Sequence, residues 1–314
     1  MEPMNTLSYA IGVDIGGTKT AVSLWTFDGS LKKKDKFATE GSAETVIARI
    51  TMTIERLIGD AEIGRNQVLA IGISCGGPLD SDQGLILSPP NLPGWDNIPV
   101  VRILEENTGI RCFLENDANA CALAEWYWGA GCGYRDMIFL TFGTGLGAGL
   151  ILNNQLYRGT CDLAGEIGHI RLADDGPSGY GKNGSWEGFC SGGGISRMYA
   201  SISGREESGK YVCDAAASGD PVAKGVIDRT ATYLGRGIAL LIDILNPECI
   251  VIGSIFTRNE NLFRTTMESV IAREALNNAR KKCVIVPAQL GELLGDRAAL
   301  GVAIDGMKNV SAPK

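Results

Sequence analysis

Histidine is nearly absent from this chain of 314 residues: His169 is the one copy. Whether it is a metal ligand, a catalytic base, a substrate contact or a core imidazole must be decided from its surroundings. The nine cysteines include no CxxC pair, and the two nearest in sequence are Cys112 and Cys121. That spacing fits neither a disulfide framework nor a metal site, so reduced thiols are expected. Basic residues are the minority, 29 Lys and Arg against 36 Asp and Glu, for a net charge of −7. Such a surface does not attract a phosphate backbone or an acidic membrane, which excludes nucleic acid as a partner. No apolar run approaches membrane-spanning length, and the opening "MEPMNTLSYA" lacks the charged region and apolar core of a signal peptide. A cytoplasmic location is expected.

What the chain has is apolar residues, at 45%, and 42 glycines that cluster after apolar runs. This length and composition can bury two cores. "YAIGVDIGGTKTAVSLWTFDG" reads as strand, glycine turn and strand, with strands over Ile11–Ile15 and Ala21–Phe27. The lysines 32, 33, 34 and 36 read as a solvated hairpin edge. A helical pattern covers Thr45–Ile58. "VLAIGISCGGPLD" reads as a buried strand entering a loop, and "SPPNLPGWDNIP" has too many breakers for any regular element. A short strand over Cys112–Leu114 meets a helix that starts near Asp117. At residue 137 the opening pattern returns in "MIFLTFGTGLGAGLILNNQL", which predicts two similar halves. Helices over Gly193–Ser203 and Pro221–Leu245, the strand "CIVIG", another helix, the strand "CVIVP" and a closing helix from Asp296 complete the chain.

Two phosphate signatures fail on context. "GVDIGGTKT" approaches a P-loop, but Thr18 stands where lysine should follow glycine, and the next segment alternates as a strand. "GTGLGA" at 143–148 matches the dinucleotide fingerprint, but continues as strand with no βαβ unit. What remains is two glycine hairpins whose backbone N–H groups can approach a polyphosphate, or which simply make tight turns. Asp14, ending the first strand, suits Mg²⁺ held directly or through water. In "LENDANACALAE", Asp117 sits at a strand–helix junction, where it serves as an N-cap or accepts a proton from a substrate hydroxyl during phosphoryl transfer. Asn91, Glu166, His169 and Glu187 lie in loops and are the polar types that a polyhydroxylated ligand requires.

The set "DIGGTKT", "PNLPGW", "ENDANA", "GTGLGAGLI", "GEIGH", the glutamate of "WEGFCSGGGI" and "LGDRAALGVA" resembles the ROK family of bacterial sugar kinases from Ile11 to about Ala303. The resemblance implies an α/β, actin-like ATPase (ribonuclease H-like) fold of two domains with a nucleotide and sugar cleft between them. The smaller domain would be residues 1–117 plus 296–314, the larger 118–295. It implies ATP and Mg²⁺ as cofactors, Asp117 as general base, and Asn91, Asn116, Glu166, His169 and Glu187 as sugar contacts. Gly16, Gly17, Thr18, Lys19, Thr144 and Gly145 would lie along the phosphates and Gly253 and Ser254 near the adenosine, with Asp14 holding magnesium through water. The substrate implied is an aldohexose such as glucose, phosphorylated at the 6-hydroxyl, and the assembly a homodimer. The family also contains kinases of N-acetylglucosamine or N-acetylmannosamine. Its regulators carry an N-terminal helix-turn-helix, whereas here the first strand starts about eight residues in. One departure is local. The family's zinc motif, a histidine followed by CxCGxxGCxE, is here "SGYGKNGSWE", so Ser178, Tyr180 and Ser185 replace the thiolates. No structural zinc is expected, His169 is left as a sugar contact, and Tyr180 and Trp186 are expected to hold the loop by packing.

Overall fold

The computed structural model describes residues 8–311. Residues 1–7 and 312–314, both assigned above to the smaller domain, lie outside the described residues. The chain forms two compact units. One comprises Met1–Tyr127, Gly159–Asp162 and Leu290–Lys314; the other comprises Trp128–Arg158 and Leu163–Gln289. The helix after Asp117 stays with the first unit through Tyr127, where the sequence reading broke the chain before it.

In the first unit, β1 (Tyr9–Ile15), β2 (Lys19–Thr26), β3 (Leu31–Ala38), β4 (Val68–Cys75) and β7 (Cys112–Asn116) form a sheet in the order β3-β2-β1-β4-β7. A two-residue ladder, β5 (Leu79–Asp80) with β6 (Leu85–Ile86), lies outside it. Strand β1 is antiparallel to β2 and parallel to β4, which is parallel to β7. Helix α1 (Ala43–Asp60) starts where the Ser42 hydroxyl accepts from Thr45 N–H, and its buried face includes Val46, Ile47, Ile50 and Ile54. These residues join Ile11, Val13, Val22 and Leu24 in one core, where each buried aliphatic side chain contributes roughly 1.5–3 kcal/mol. Helices α2 (Val100–Thr108) and α3 (Asp117–Trp128) follow β6 and β7.

The helix Leu294–Ser311 packs on β1 and β4. Only hydrogen fits at Gly72 of β4: a Cβ there would stand 2.1 Å from the Ala299 carbonyl oxygen and 2.4 Å from the Ala303 nitrogen. The lysine run is not uniformly solvated. Lys34 projects toward this helix and pairs with Asp296, which is almost fully buried, because strand alternation sends Lys34 and the buried Phe37 to opposite faces.

The second unit repeats the plan. Strands β8 (Met137–Phe142), β9 (Leu146–Leu152), β10 (Gln155–Leu156), β13 (Cys249–Ile252) and β14 (Val284–Pro287) are ordered β10-β9-β8-β13-β14. Again β8 is antiparallel to β9 and parallel to β13, which is parallel to β14. The strand–turn–strand echo in the sequence is therefore an echo of sheet topology. A small hairpin, β11 (Ser178–Gly179) with β12 (Lys182–Asn183), precedes α4 (Trp186–Phe189), α5 (Gly192–Ser203), α6 (Gly209–Ala217), α7 (Pro221–Leu245), α8 (Ile255–Glu274) and α9 (Asn277–Arg280). Helix α7 opens with Asp220 accepting from Ala223 N–H and Pro221 in the first turn, and ends at Asn246 with φ 46°. Its buried side joins Ile138, Leu140, Trp186 and Phe263 in the second core.

Candidate active site

In the first unit the parallel strands end together. Asp14 of β1 is in register with Ser74 of β4, and Ser74 with Glu115 of β7, so Ile15, Cys75 and Asn116 reach the same sheet edge. In open α/β sheets the carboxyl ends of strands form the ligand side. The β1–β2 turn, which carries Gly16, Gly17 and Thr18 up to Lys19, leaves from this edge, held by Gly16 N–H donating to Lys19 O at 3.1 Å. A Cβ on Gly17 would stand 2.4 Å from the Asn91 carbonyl oxygen, so the proline-rich loop lies directly on the turn. The Asn91 amide is 3.3 Å from the Cβ position of Gly76, and Asn116 Nδ2 is 3.1 Å from that of Gly77. Asp14, the glycine turn, Asn91, Asn116 and the neighbouring Asp117 therefore share one neighbourhood, although 103 positions of sequence separate Asp14 from Asp117.

The electrostatics of that edge are unusual. Burial, then the negative charges of Asp117 and Asp296, push the Asp14 carboxyl up to about 6, against the opposing pull of Lys34 and Lys36. The Cys75 thiol, pushed up to about 12 chiefly by burial, feels Asp117 and Asp14 as well. Asn116 Oδ1 accepts from Ala118 N–H at 2.9 Å, so Asn116 satisfies a free donor at the start of α3, while the Asp117 side chain lies exposed at the same edge.

In the second unit, Thr144 and Gly145 form the β8–β9 turn, closed by Gly143 N–H donating to Gly145 O at 3.0 Å. Glu187, entering α4, turns its Oε2 onto this turn and accepts from Leu146 N–H at 3.1 Å. Glu166 and His169 bracket a single helical turn, Ile167–His169. At its centre a Cβ on Gly168 would stand 2.3 Å from Leu146 O and 3.2 Å from Glu187 Cβ. The missing side chain lets the Glu166–His169 turn close on Glu187, so all three polar residues gather beside Thr144 and Gly145. Ser254 Oγ lies 3.3 Å from the Cβ position of Gly143, which brings Gly253 and Ser254 to the same turn. Ser254 is held at φ 55°, ψ −109°, a conformation that an L-residue adopts only under constraint from its surroundings.

The loop that lacks the thiolates is held by hydrogen bonds. Ser185 Oγ is buried, donates to Gly179 O at 2.9 Å and accepts from Gly188 N–H at 3.1 Å. Trp186 is buried, as expected of a packing group. Tyr180 is not: it stays half exposed and donates to Glu166 Oε2 at 2.6 Å. Lys182 reaches the His169 carbonyl at 2.7 Å. Cys190 is engaged away from this loop, donating to Thr230 O at 3.4 Å. No group of three or more His, Cys, Asp or Glu among the described residues is arranged to hold a metal.

The contacts of several residues at these edges leave no local pattern in the sequence. Lys34, Asp296, Tyr180 and Lys182 act through contacts made only in the folded chain. Gly76 and Gly77 did have a signal, a glycine doublet directly after a buried strand. A hollow of about 950 Å³ lined by Asp136, Asp243, Asn246 and Glu248 lies at the opposite end of the second sheet, before β8 and β13 begin. It contains none of the residues above.

The match to known proteins covers nearly the whole chain. The ROK family model matches residues 10–305. The glucokinase of Thermotoga maritima is 36% identical over 279 residues, 83% of this chain and 86% of that one. The crystal structure of a ROK hexokinase from Thermus thermophilus superposes with a TM-score of 0.85 at 31% identity, over 96% of this chain and 99% of that one. A ROK family glucokinase from Streptomyces griseus, solved with glucose and AMPPNP, gives 0.73 at 32% identity over 95% and 99%. The chain belongs to the ROK family, as a sugar kinase on the actin-like ATPase fold.

Proposed function

We propose that this kinase transfers the γ-phosphoryl group of ATP to the 6-hydroxyl of a glucose-like aldohexose, with Asp117 as the general base. The observation that carries the reading is the strand register that brings Asp117 beside Asp14 at the ligand edge of the first sheet. In a loose phosphoryl-transfer transition state the acceptor proton moves late, so correct placement of the carboxylate is what the reaction chiefly demands. Asn91, Asn116, Glu166, His169 and Glu187 hold the sugar hydroxyls. Gly16, Gly17, Thr18, Lys19, Thr144 and Gly145 lie along the phosphates, and Gly253 and Ser254 beside the adenosine. The glucose and AMPPNP complex of the Streptomyces griseus relative supports both ligand classes.

A carboxylate crowded by two others calls for a cation, which supports Asp14 as the residue that holds Mg²⁺ through water. The ion would supply charge neutralisation for the phosphates. Ser178, Tyr180 and Ser185 are poor zinc ligands, being neutral oxygens in place of soft thiolates, so the enzyme works without structural zinc. A cytoplasmic homodimer completes the reading.

The test is an ADP-release screen across hexoses and N-acetylhexosamines, repeated with Asp117→Asn. Glucose should be the best acceptor, and the variant should keep sugar affinity while losing turnover by roughly two to four orders of magnitude. Near-normal turnover would reduce Asp117 to a helix-terminal residue, and preference for an N-acetylhexosamine would replace the substrate.

A further inference from the structure

The hairpin β11–β12 does more than close a loop. It is fastened at its base, where Arg197 donates to Ser178 O at 2.8 Å and Ser185 to Gly179 O. Its tip carries Tyr180, at φ 53°, and Lys182, and each side chain meets one of the two polar residues of the neighbouring turn. Lys182 Nζ lies 3.2 Å from His169 Nδ1 while also donating to the His169 carbonyl at 2.7 Å. An ammonium group has three hydrogens and no lone pair. The contact with Nδ1 is therefore a hydrogen bond only if that nitrogen carries a lone pair, which places the ring proton on Nε2. The Tyr180 ring stands edge-on to the imidazole, with centroids 5.7 Å apart and planes at 86°, and its hydroxyl occupies Oε2 of Glu166.

We infer that Lys182 is a positioning residue that fixes His169 in the Nε2–H tautomer, and that Tyr180 does the corresponding work for Glu166. The turn then presents a ligand with one fixed donor, the imidazole N–H, and one fixed acceptor, the free oxygen of Glu166. A sugar hydroxyl both donates and accepts, so the fixed donor and the fixed acceptor are met together by one hydroxyl or by two neighbouring ones, with neither protein group having to reorient. The inference rests on the reading above that His169 and Glu166 are sugar contacts.

The single histidine makes the test direct. In full-length enzyme labelled with ¹⁵N-histidine, the two ring nitrogens are the one pair in the spectrum and report the tautomer without assignment. The wild-type protein should show a protonated Nε2 and a hydrogen-bonded, unprotonated Nδ1. Lys182→Met should shift the Nδ1 signal and populate the other tautomer, raising the sugar KM about tenfold with a smaller change in kcat. Lys182→Arg, which keeps a cationic donor, should restore part of both. Tyr180→Phe should raise the sugar KM and leave the histidine tautomer in place. A wild-type ring protonated on Nδ1, or a spectrum that Lys182→Met leaves unchanged in a folded protein, overturns the inference. A tautomer that shifts as described while the KM for sugar stays fixed overturns instead the reading of His169 as a sugar contact, and the positioning role with it.

Discussion

Replacing Asp14 with Asn should make the ligand-free protein more stable and the enzyme far less active. The Asp14 carboxyl is raised from 3.8 to about 6, and each unit of such a shift corresponds to about 1.4 kcal/mol, so the shift amounts to about 3 kcal/mol. The sign follows from which form the fold prefers. Near pH 3 the carboxyl is protonated in both folded and unfolded chains and costs nothing. As the pH rises the unfolded chain releases its proton first, and the folded chain loses relative stability until the pH passes about 6. Asparagine stays neutral throughout. The stability difference between Asp14→Asn and wild type should therefore be small at pH 4 and widen to about 3 kcal/mol by pH 7. In melting temperature that is roughly 6–12 °C, taking 2–4 °C per kcal/mol for a large domain. Thermal melts from pH 4 to 8, without nucleotide or magnesium, measure it. Parallel curves for the two proteins, or a variant less stable at pH 7, would refute the account of a carboxylate strained by burial and by its neighbours. The same strain suits a group that awaits a cation, and its removal should abolish most ATP turnover.

Gly72→Ala should destabilise the first unit by roughly 1–3 kcal/mol, because the new Cβ would meet the Ala299 carbonyl at 2.1 Å and push the helix off the sheet; chemical denaturation checks it. Elemental analysis should find no stoichiometric zinc in purified protein, and chelation followed by added Mg²⁺ should restore full activity; about one zinc per chain, lost together with activity in His169→Ala, would mean a rebuilt metal site.

Patterns that repeat along the chain were legible. Alternating apolar residues on either side of a glycine turn marked β1–β2 and β8–β9, and the helix read over Pro221–Leu245 is α7, which the structure caps with Asp220 and ends at Asn246. Helices α2 and α6 went unread, since nine residues each give too few turns for a period to stand out. Lys34 looked like one more lysine on an edge because its partner lies 262 positions away. Tyr180 was read as a packing group on size alone; whether a tyrosine packs or donates depends on what stands opposite its hydroxyl, and Glu166 reaches it only through the tertiary fold. The candidate site residues were nominated from short motifs, and the hydrogen bonds around them have no such signature.

The helix over Leu294–Ser311 covers β1 and β4, strands made at the opposite end of the chain. A ribosome completes both strands early and then synthesises the entire second unit before this cover appears. During that interval the face around Gly12 and Gly72 has no helix to lie against it. Every residue of the second unit precedes Leu290, so the chain of that unit is complete before the helix is made. The nascent chain thus carries an uncovered sheet face for more than half of its synthesis, an incompletely packed species of the kind that is prone to aggregation. Expression yield should depend on residues near 300 as strongly as on the core of the first strands.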